Sequence, residues 1–430
     1  MPTDLANIKT VIIVMMENRS FDHMLGYLSL PPWSRGNVDG LRTDPAWLAQ
    51  FANVHDGKGY QPFHLSRPNQ PLPGDPPHDR ADIATQLDGP MTGFVNSCAT
   101  ADPVSGNPVV MGYFNADDLP TTHFFAQQFA ICDHWFSAIP ASTQPNRLMA
   151  MSGTTLIDDN VKVLPEQSLV YDWLEGKDIK WRVYHQGLPF FALMASWMPY
   201  LLMDYNFREL SRFADDIQNE ADEDCPQVIF IEPRYTDAPH VLPPTDDHAP
   251  SPVSNGQQFL AEVYSTAISN PDRWKNTVMI ITYDEHGGFF DHVSPIAVKT
   301  AVPGDPYPAF TTSGVRVPGI IVSPWVDPGQ VYNGPLDHTS ILKFLGELFN
   351  AGTYSNEVDA RTEVGSVSAV LNRATPRDDA PLHPSAAAGQ APGQAVTGAI
   401  PQAFEAALDR LRAFDKDVTK LKFPTLFHRF

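Results

Sequence analysis

Cysteine is scarce: Cys98, Cys132 and Cys225 are the three in 430 residues, and no two lie close together. That excludes a disulfide framework and a zinc-finger pattern of ligands. Basic residues are also few, 29 Lys and Arg against 50 Asp and Glu, for a formal net charge of −21. Recognition of a phosphate backbone needs a basic face, so nucleic acid is excluded as a partner, as is gross attraction to an anionic bilayer. An anionic substrate stays compatible, because a local cation or histidine cluster inverts the field inside a cleft. Long hydrophobic runs are missing. The densest, at 189–203, contains proline and is about 15 residues, short of the roughly 18 needed for a membrane span. The first residues hold no basic stretch leading into an apolar segment with a cleavage site. The chain therefore reads as soluble and cytoplasmic, or as secreted if a leader has been removed. No internal repeat is present.

What the sequence does have is apolar runs ending in acid. Runs at 10–16, 228–231, 278–282 and 318–322 read as strands of a parallel sheet buried on both faces. Helical patterns at 256–268 and 339–349 lie among them, so a layered α/β architecture with a mostly parallel sheet is expected. The first three runs end at Glu17-Asn18, Glu232-Pro233 and Asp284-Glu285. Ligands of open α/β sheets bind outside the carboxyl ends of the strands. Two loops rich in proline, at 61–77 and 237–252, are long enough to be functional. Residues 1–373 read as one catalytic domain and 374–400 as an Ala/Pro/Gly-rich linker. At 401–430, Phe404, Leu408, Leu411, Phe414, Val418 and Leu421 recur at helical spacing, as in an amphipathic helix docked on the domain.

Four segments carry candidate chemistry. In Tyr283-Asp284-Glu285-His286-Gly287-Gly288, two carboxylates and a histidine emerge where a strand ends, and paired glycines allow a tight turn. In Glu17-Asn18-Arg19-Ser20, hard oxygen ligands suit a divalent cation, and Ser20 suits a helix cap. In Ser142-Thr143-Gln144-Pro145, a hydroxyl sits at the start of a helix, where the dipole favours a developing alkoxide. In Asp246-Asp247-His248, a histidine is placed to donate to phosphate or to protonate a leaving oxygen. Each segment read singly is also an ordinary capped turn or solvated loop. The same holds for His78 and for His338, which Asp337 and Thr339 frame as part of a helix cap.

Together these segments resemble the phosphoesterase family of non-specific phospholipases C and related acid phosphatases. The resemblance rests on 8–26, Pro90-Met91-Thr92-Gly93-Phe94, 142–147, Ile231-Glu232-Pro233-Arg234-Tyr235, 246–248, 281–293, 314–318, Ser323-Pro324-Trp325 and 337–340, in the family's order. It implies an alkaline-phosphatase-like three-layer α/β/α sandwich that hydrolyses phosphate esters through a phospho-threonine. Thr143 is then the nucleophile, with Ser142 as its rival. Glu17, Asn18, Asp284 and Glu285 hold one divalent metal ion, Asp284 ranked first and Glu285 second. The ion is Ca, Mg or Mn, and a metal-free site is the alternative. His78 and His248 act on the phosphoryl group and the leaving oxygen, and Asn18, Asp247 and His286 bind substrate. The expected substrate is a glycerophospholipid cleaved in the phospholipase C manner, with transient membrane contact compatible; the apolar stretch at 189–201 reads first as core, with a lipid-facing rim as the alternative. A broad acid phosphomonoesterase and an inactive phospholipid- or metal-binding relative are the alternatives. The carboxyl-terminal β domains and leader of the long secreted relatives have no counterpart here, so the match is to the shorter, plant-type enzymes.

Overall fold

The structure is a computed structural model that describes residues 3–103, 105–194, 196–197, 206–238, 242–299 and 310–383, with 404, 406 and 409. Eight strands form one sheet. In chain order they are β1 (Thr10–Met16), β2 (Ala130–Cys132), β3 (Trp181–His185), β4 (Phe207–Glu209), β5 (Val228–Glu232), β6 (Thr277–Tyr283), β7 (Gly319–Val322) and β8 (Gln330–Tyr332). Their spatial order is β8-β2-β7-β6-β1-β5-β3-β4. The central strands are those the sequence announces as unbroken apolar runs. Every residue of β5 and β6 is buried, as a sheet covered on both faces requires.

Five helices cover it: α1 (Pro120–Gln128), α2 (Thr143–Ser152), α3 (Phe213–Asn219), α4 (Val253–Ala267) and α5 (Thr339–Phe349). Successive strand side chains point to opposite faces. Ile13 and Met15 of β1 meet Ala150 and Met151 of α2 and Ile341, Leu342 and Leu345 of α5. Thr10 and Ile12 meet Ile217 of α3 and Ala267 of α4 on the other face. The layers are therefore α/β/α, as expected. Among the described residues no helix is long and apolar enough to cross a membrane.

One expectation is corrected. The run at 318–322 is β7, and it pairs with β6 antiparallel. Antiparallel neighbours need no crossover helix between them. The short buried strand β2, only three residues, was not expected, and neither were the outer strands β3, β4 and β8. They are short and carry polar residues: Arg182 of β3 is buried against Asp216 and Glu220 at 3.4 and 2.7 Å. An apolar pattern does not register a strand stabilised by ion pairs. Of the two terminal segments, 384–400 and most of 401–430 lie outside the described residues. Phe404, Ala406 and Asp409 are helical, and Phe404 is buried beside Tyr235, with ring centroids 6.1 Å apart.

β1 is flanked by β5 on one side and β6 on the other, all parallel. Met16 pairs with Tyr283, and Val14 with Ile231, so Glu17 and Asp284, just past their strands, and Glu232, the last residue of β5, lie along one edge of the sheet. Past β6 the chain turns at Gly287, whose φ is +63°. A Cβ there would lie 2.2 Å from the Asn18 carbonyl oxygen, so only glycine lets the two strand ends pack together.

A buried ion network fastens the rest of that turn. His292 Nδ1 is 2.6 Å from Asp22 and its Nε2 is 3.2 Å from Asp39, while Arg316 pairs with Asp22 and Asp291 at 3.2 and 2.8 Å. Asp22, Asp291 and His292 are grouped closely enough to ligate a metal, but Arg316 already supplies their cation. Burial alone would lower the His292 pKa; Asp22 and Asp39 override it and raise it to about 9. Its unfolded value is about 6.5, so the unfolded chain binds fewer protons between those values. This contribution is complete below pH 6.5 and is lost as pH rises through about 9. It should amount to about 3 kcal/mol. Urea unfolding of wild type and His292→Gln across pH 6 to 9.5 checks it: the gap between them should shrink towards pH 9.5, and a constant gap would refute it.

Candidate active site at the strand ends

Asn18 is the hub of this edge. It is fully buried and has a left-handed φ of 60°, a conformation that Asn tolerates better than most residues. Its backbone N–H donates to Asp284 Oδ1 at 3.2 Å. Its side-chain amide meets three groups: Nδ2 lies 3.2 Å from His78 Nε2 and 2.9 Å from His248 Nε2, and Oδ1 accepts from the Thr143 hydroxyl at 3.4 Å. Glu17, Asn18, Thr143, His78, His248, Asp284 and Glu285, scattered over 268 positions of sequence, are thus brought to one place.

Thr143 opens α2, and Ser142 is the residue before it. The Ser142 hydroxyl is turned away, donating to Asp159 at 2.5 Å, so Thr143 alone of the two faces Asn18. Both histidines are oriented from behind. His78 Nδ1 is 2.7 Å from its own loop's Pro76 carbonyl, and His248 Nδ1 is 3.1 Å from Glu17 Oε2. Burial would discharge each ring, but acids prevail: Glu285 and Asp75 raise His78 to about 9, and Asp75 and Asp237 hold His248 well above its usual range. Each ring accepts from the Asn18 amide only while its Nε2 is unprotonated.

The two proline-rich loops deliver these rings and are laced together. Leu72 N–H donates to the Pro250 carbonyl at 2.9 Å, and Ser254 N–H to that of Pro68 at 3.0 Å. They also bring acids that the sequence reading did not assign. Asp75 Oδ2 is 3.3 Å from His248 Nε2, and Asp237 Oδ1 is 3.9 Å from His248 Nδ1; their side chains are 41% and 35% exposed, at the mouth.

The main residue missed is Arg147. It is buried in α2 and bridges two carboxylates, Glu17 Oε1 at 3.1 Å and Asp284 Oδ2 at 3.0 Å. Tyr235 accepts a further bond from it at 3.0 Å, and the Phe190 and Tyr235 rings each lie 4.9 Å from its guanidinium carbon. It lies in the 142–147 segment, one helical turn beyond Thr143, and that spacing was the available signal.

Two residues expected to bind substrate turn elsewhere. His286 is buried with Nε2 2.7 Å from Gln86 Oε1 and Nδ1 3.3 Å from Glu285 Oε2, so it buttresses Glu285. Asp247 accepts from Tyr283 at 2.6 Å and packs on Gly256, where a Cβ would come within 2.0 Å of it. His338 is structural, donating from Nε2 to the Asp284 carbonyl at 2.6 Å. The 189–201 stretch is buried at Phe190, Phe191, Leu193, Met194 and Trp197, as the core reading has it and against the lipid-rim alternative; 195 and 198–201 lie outside the described residues.

The acids fit a hard cation. Among the described residues, Glu285 Oε1 is a buried carboxylate oxygen with no hydrogen-bond partner, 4.0 Å from His78 Nε2. Asp284 is pushed up to about 8 by burial, with Glu17 and Glu285 adding to the effect against Arg147. A cation bound here would relieve that repulsion between carboxylates. Both Asp284 oxygens already accept bonds, Oδ1 from two backbone N–H groups and Oδ2 from Arg147. The vacant acceptor therefore favours Glu285 over Asp284 as first ligand, the reverse of the order read from sequence.

Residues 8–352 match the phosphoesterase family. Two non-specific phospholipases C of Arabidopsis thaliana, the third and the sixth, are 32% and 34% identical, each over 87% of this chain and 75% and 74% of their own length. Phospholipase C B of Mycobacterium tuberculosis is 28% identical over 87% of this chain and 80% of its own. Among solved structures, a phosphonate monoester hydrolase of Agrobacterium radiobacter superposes with a TM-score of 0.36 at 11% identity, over 60% of this chain and 73% of that one.

Proposed function

This chain belongs to the phosphoesterase family and is a hydrolase of phosphoric esters, and from that premise we propose that it cuts glycerophospholipids through a phospho-threonine at Thr143. The observation that carries the proposal is the Thr143 hydroxyl at the start of α2, 3.4 Å from Asn18, among two histidines and the strand-end acids. The names of the relatives support the phospholipase C manner of cleavage.

In this reading Thr143 Oγ1, its proton released to solvent, attacks phosphorus in line as an alkoxide and leaves as one in the second step, and the bond from phosphorus to the glycerol oxygen breaks. His248, held by Glu17, gives its Nε2 proton to that oxygen, and diacylglycerol leaves. The head-group phosphoryl stays on Thr143 until water attacks phosphorus, the Oγ–P bond breaks and His248 regains its proton from the water. His78 and Asn18 bind the equatorial oxygens, where charge accumulates. Among the described contacts no base touches the Thr143 hydroxyl, so its activation is electrostatic, from the α2 N-terminus and the charges around it. Glu17, Asn18, Asp284 and Glu285 would hold a divalent cation, which when bound supplies positive charge against the phosphoryl oxygens.

The alternative on the same core is a phosphomonoesterase. Phosphorylcholine release from phosphatidylcholine is expected to exceed phosphate release from nitrophenyl phosphate at least tenfold in kcat/KM, and to fall with chelator. Preferential release of inorganic phosphate from the monoester would instead establish the alternative.

A further inference from the structure

The loop acid Asp75 contacts the nitrogen that the proposed reaction needs. Its Oδ2 is 3.3 Å from His248 Nε2 and its Oδ1 is 3.8 Å from His78 Nδ1. His248 Nε2 is also the atom that faces Asn18, on the side open to Thr143. A carboxylate therefore stands on the nitrogen that would protonate the leaving oxygen, beside the phosphoryl group. It is 41% exposed, so it can swing aside, and Asp237 lies 3.9 Å from the other nitrogen of the same ring. The chain around it is acidic, with a net charge of −21.

We infer that Asp75 is a specificity residue: its carboxylate, held on His248 beside the phosphoryl group, repels added negative charge and admits singly charged diesters over doubly charged monoesters. The inference rests on the reading of Thr143 and His248 given above and adds the charge class of ester that the site accepts. A phosphomonoester carries nearly two charges at pH 7, since its second pKa is about 6, whereas a diester carries one. Each charge entering beside Asp75 is repelled at close range, where screening by water is weakest. Repulsion of the wrong ligand gives selectivity without weakening contacts to the right one. It also limits rebinding of inorganic phosphate, a dianion of the same kind.

The experiment compares wild type, Asp75→Asn and Asp75→Glu. Measured are kcat/KM for p-nitrophenyl phosphate and bis(p-nitrophenyl) phosphate, and binding of inorganic phosphate by calorimetry. Asp75→Asn, which keeps shape and removes charge, is expected to raise the monoester-to-diester ratio at least tenfold and to tighten phosphate binding at least fivefold. Asp75→Glu should keep the wild-type ratio. A ratio and a phosphate affinity both unchanged within twofold in Asp75→Asn would overturn the inference. So would equal loss of both activities, which would make Asp75 a ligand or a structural group. Failure of the broader reading looks different: wild type would hydrolyse neither ester, and phosphate calorimetry would still decide on Asp75.

Discussion

Replacing Thr143 with Ala is expected to lower kcat by about 10³-fold or more on every ester the wild type cleaves. The substitution removes the attacking oxygen and little else. The methyl that remains keeps the helix start, and Asn18 is still held by Asp284 and the two histidines. KM should therefore change far less than kcat, and circular dichroism and the unfolding midpoint should match wild type. Thr143→Ser, which restores a hydroxyl, should recover turnover to within about tenfold of wild type. Ser142→Ala tests the rival. Its hydroxyl is committed to Asp159, so turnover should stay within a few-fold of wild type. Steady-state kinetics on nitrophenyl esters suffice. A Thr143→Ala enzyme near wild-type rate would remove Thr143 from the chemistry.

Arg147→Met is expected to be the most destabilising single change at the site, by about 3–5 kcal/mol. The cost follows from what is left behind. Glu17 and Asp284 are buried, each loses a bonded cation at about 3 Å, and Tyr235 loses its donor. Burial works against a guanidinium here, yet Tyr235, Asp284 and Glu17 raise its pKa above the ordinary arginine value. Lysine should not rescue the variant, because one ammonium cannot span two carboxylates as a planar fork does. Denaturant unfolding of wild type, Arg147→Met and Arg147→Lys reads this directly. A loss under about 1 kcal/mol in Arg147→Met would mean that the two acids are neutral or otherwise compensated.

The sequence was most legible where one physical pattern decides the structure. Unbroken apolar runs at β1, β5 and β6 predicted buried parallel strands, and their acidic ends predicted the edge where Glu17, Asn18, Asp284 and Glu285 gather. The start of α2 was legible from Pro145 and its cap position. Long-range electrostatics was not. Nothing in the spacing says that Arg147 reaches both Glu17 and Asp284, or that Asp75 meets His248 across 173 positions. His286 and Asp247 show the converse: adjacent to site residues in sequence, they are turned to Gln86 and Tyr283 by local backbone geometry. Asp247 has a left-handed φ of 73°, which a reading of residue types does not reveal.

The most direct test of the central claim, transfer through Thr143, is the stereochemical course at phosphorus. Two successive in-line displacements retain configuration, whereas direct attack by water inverts it. Hydrolysis of a phosphorothioate diester of known configuration in isotopically labelled water reports the outcome whether or not the intermediate accumulates. The account predicts retention in the wild type and in Thr143→Ser; inversion in the wild type would contradict it.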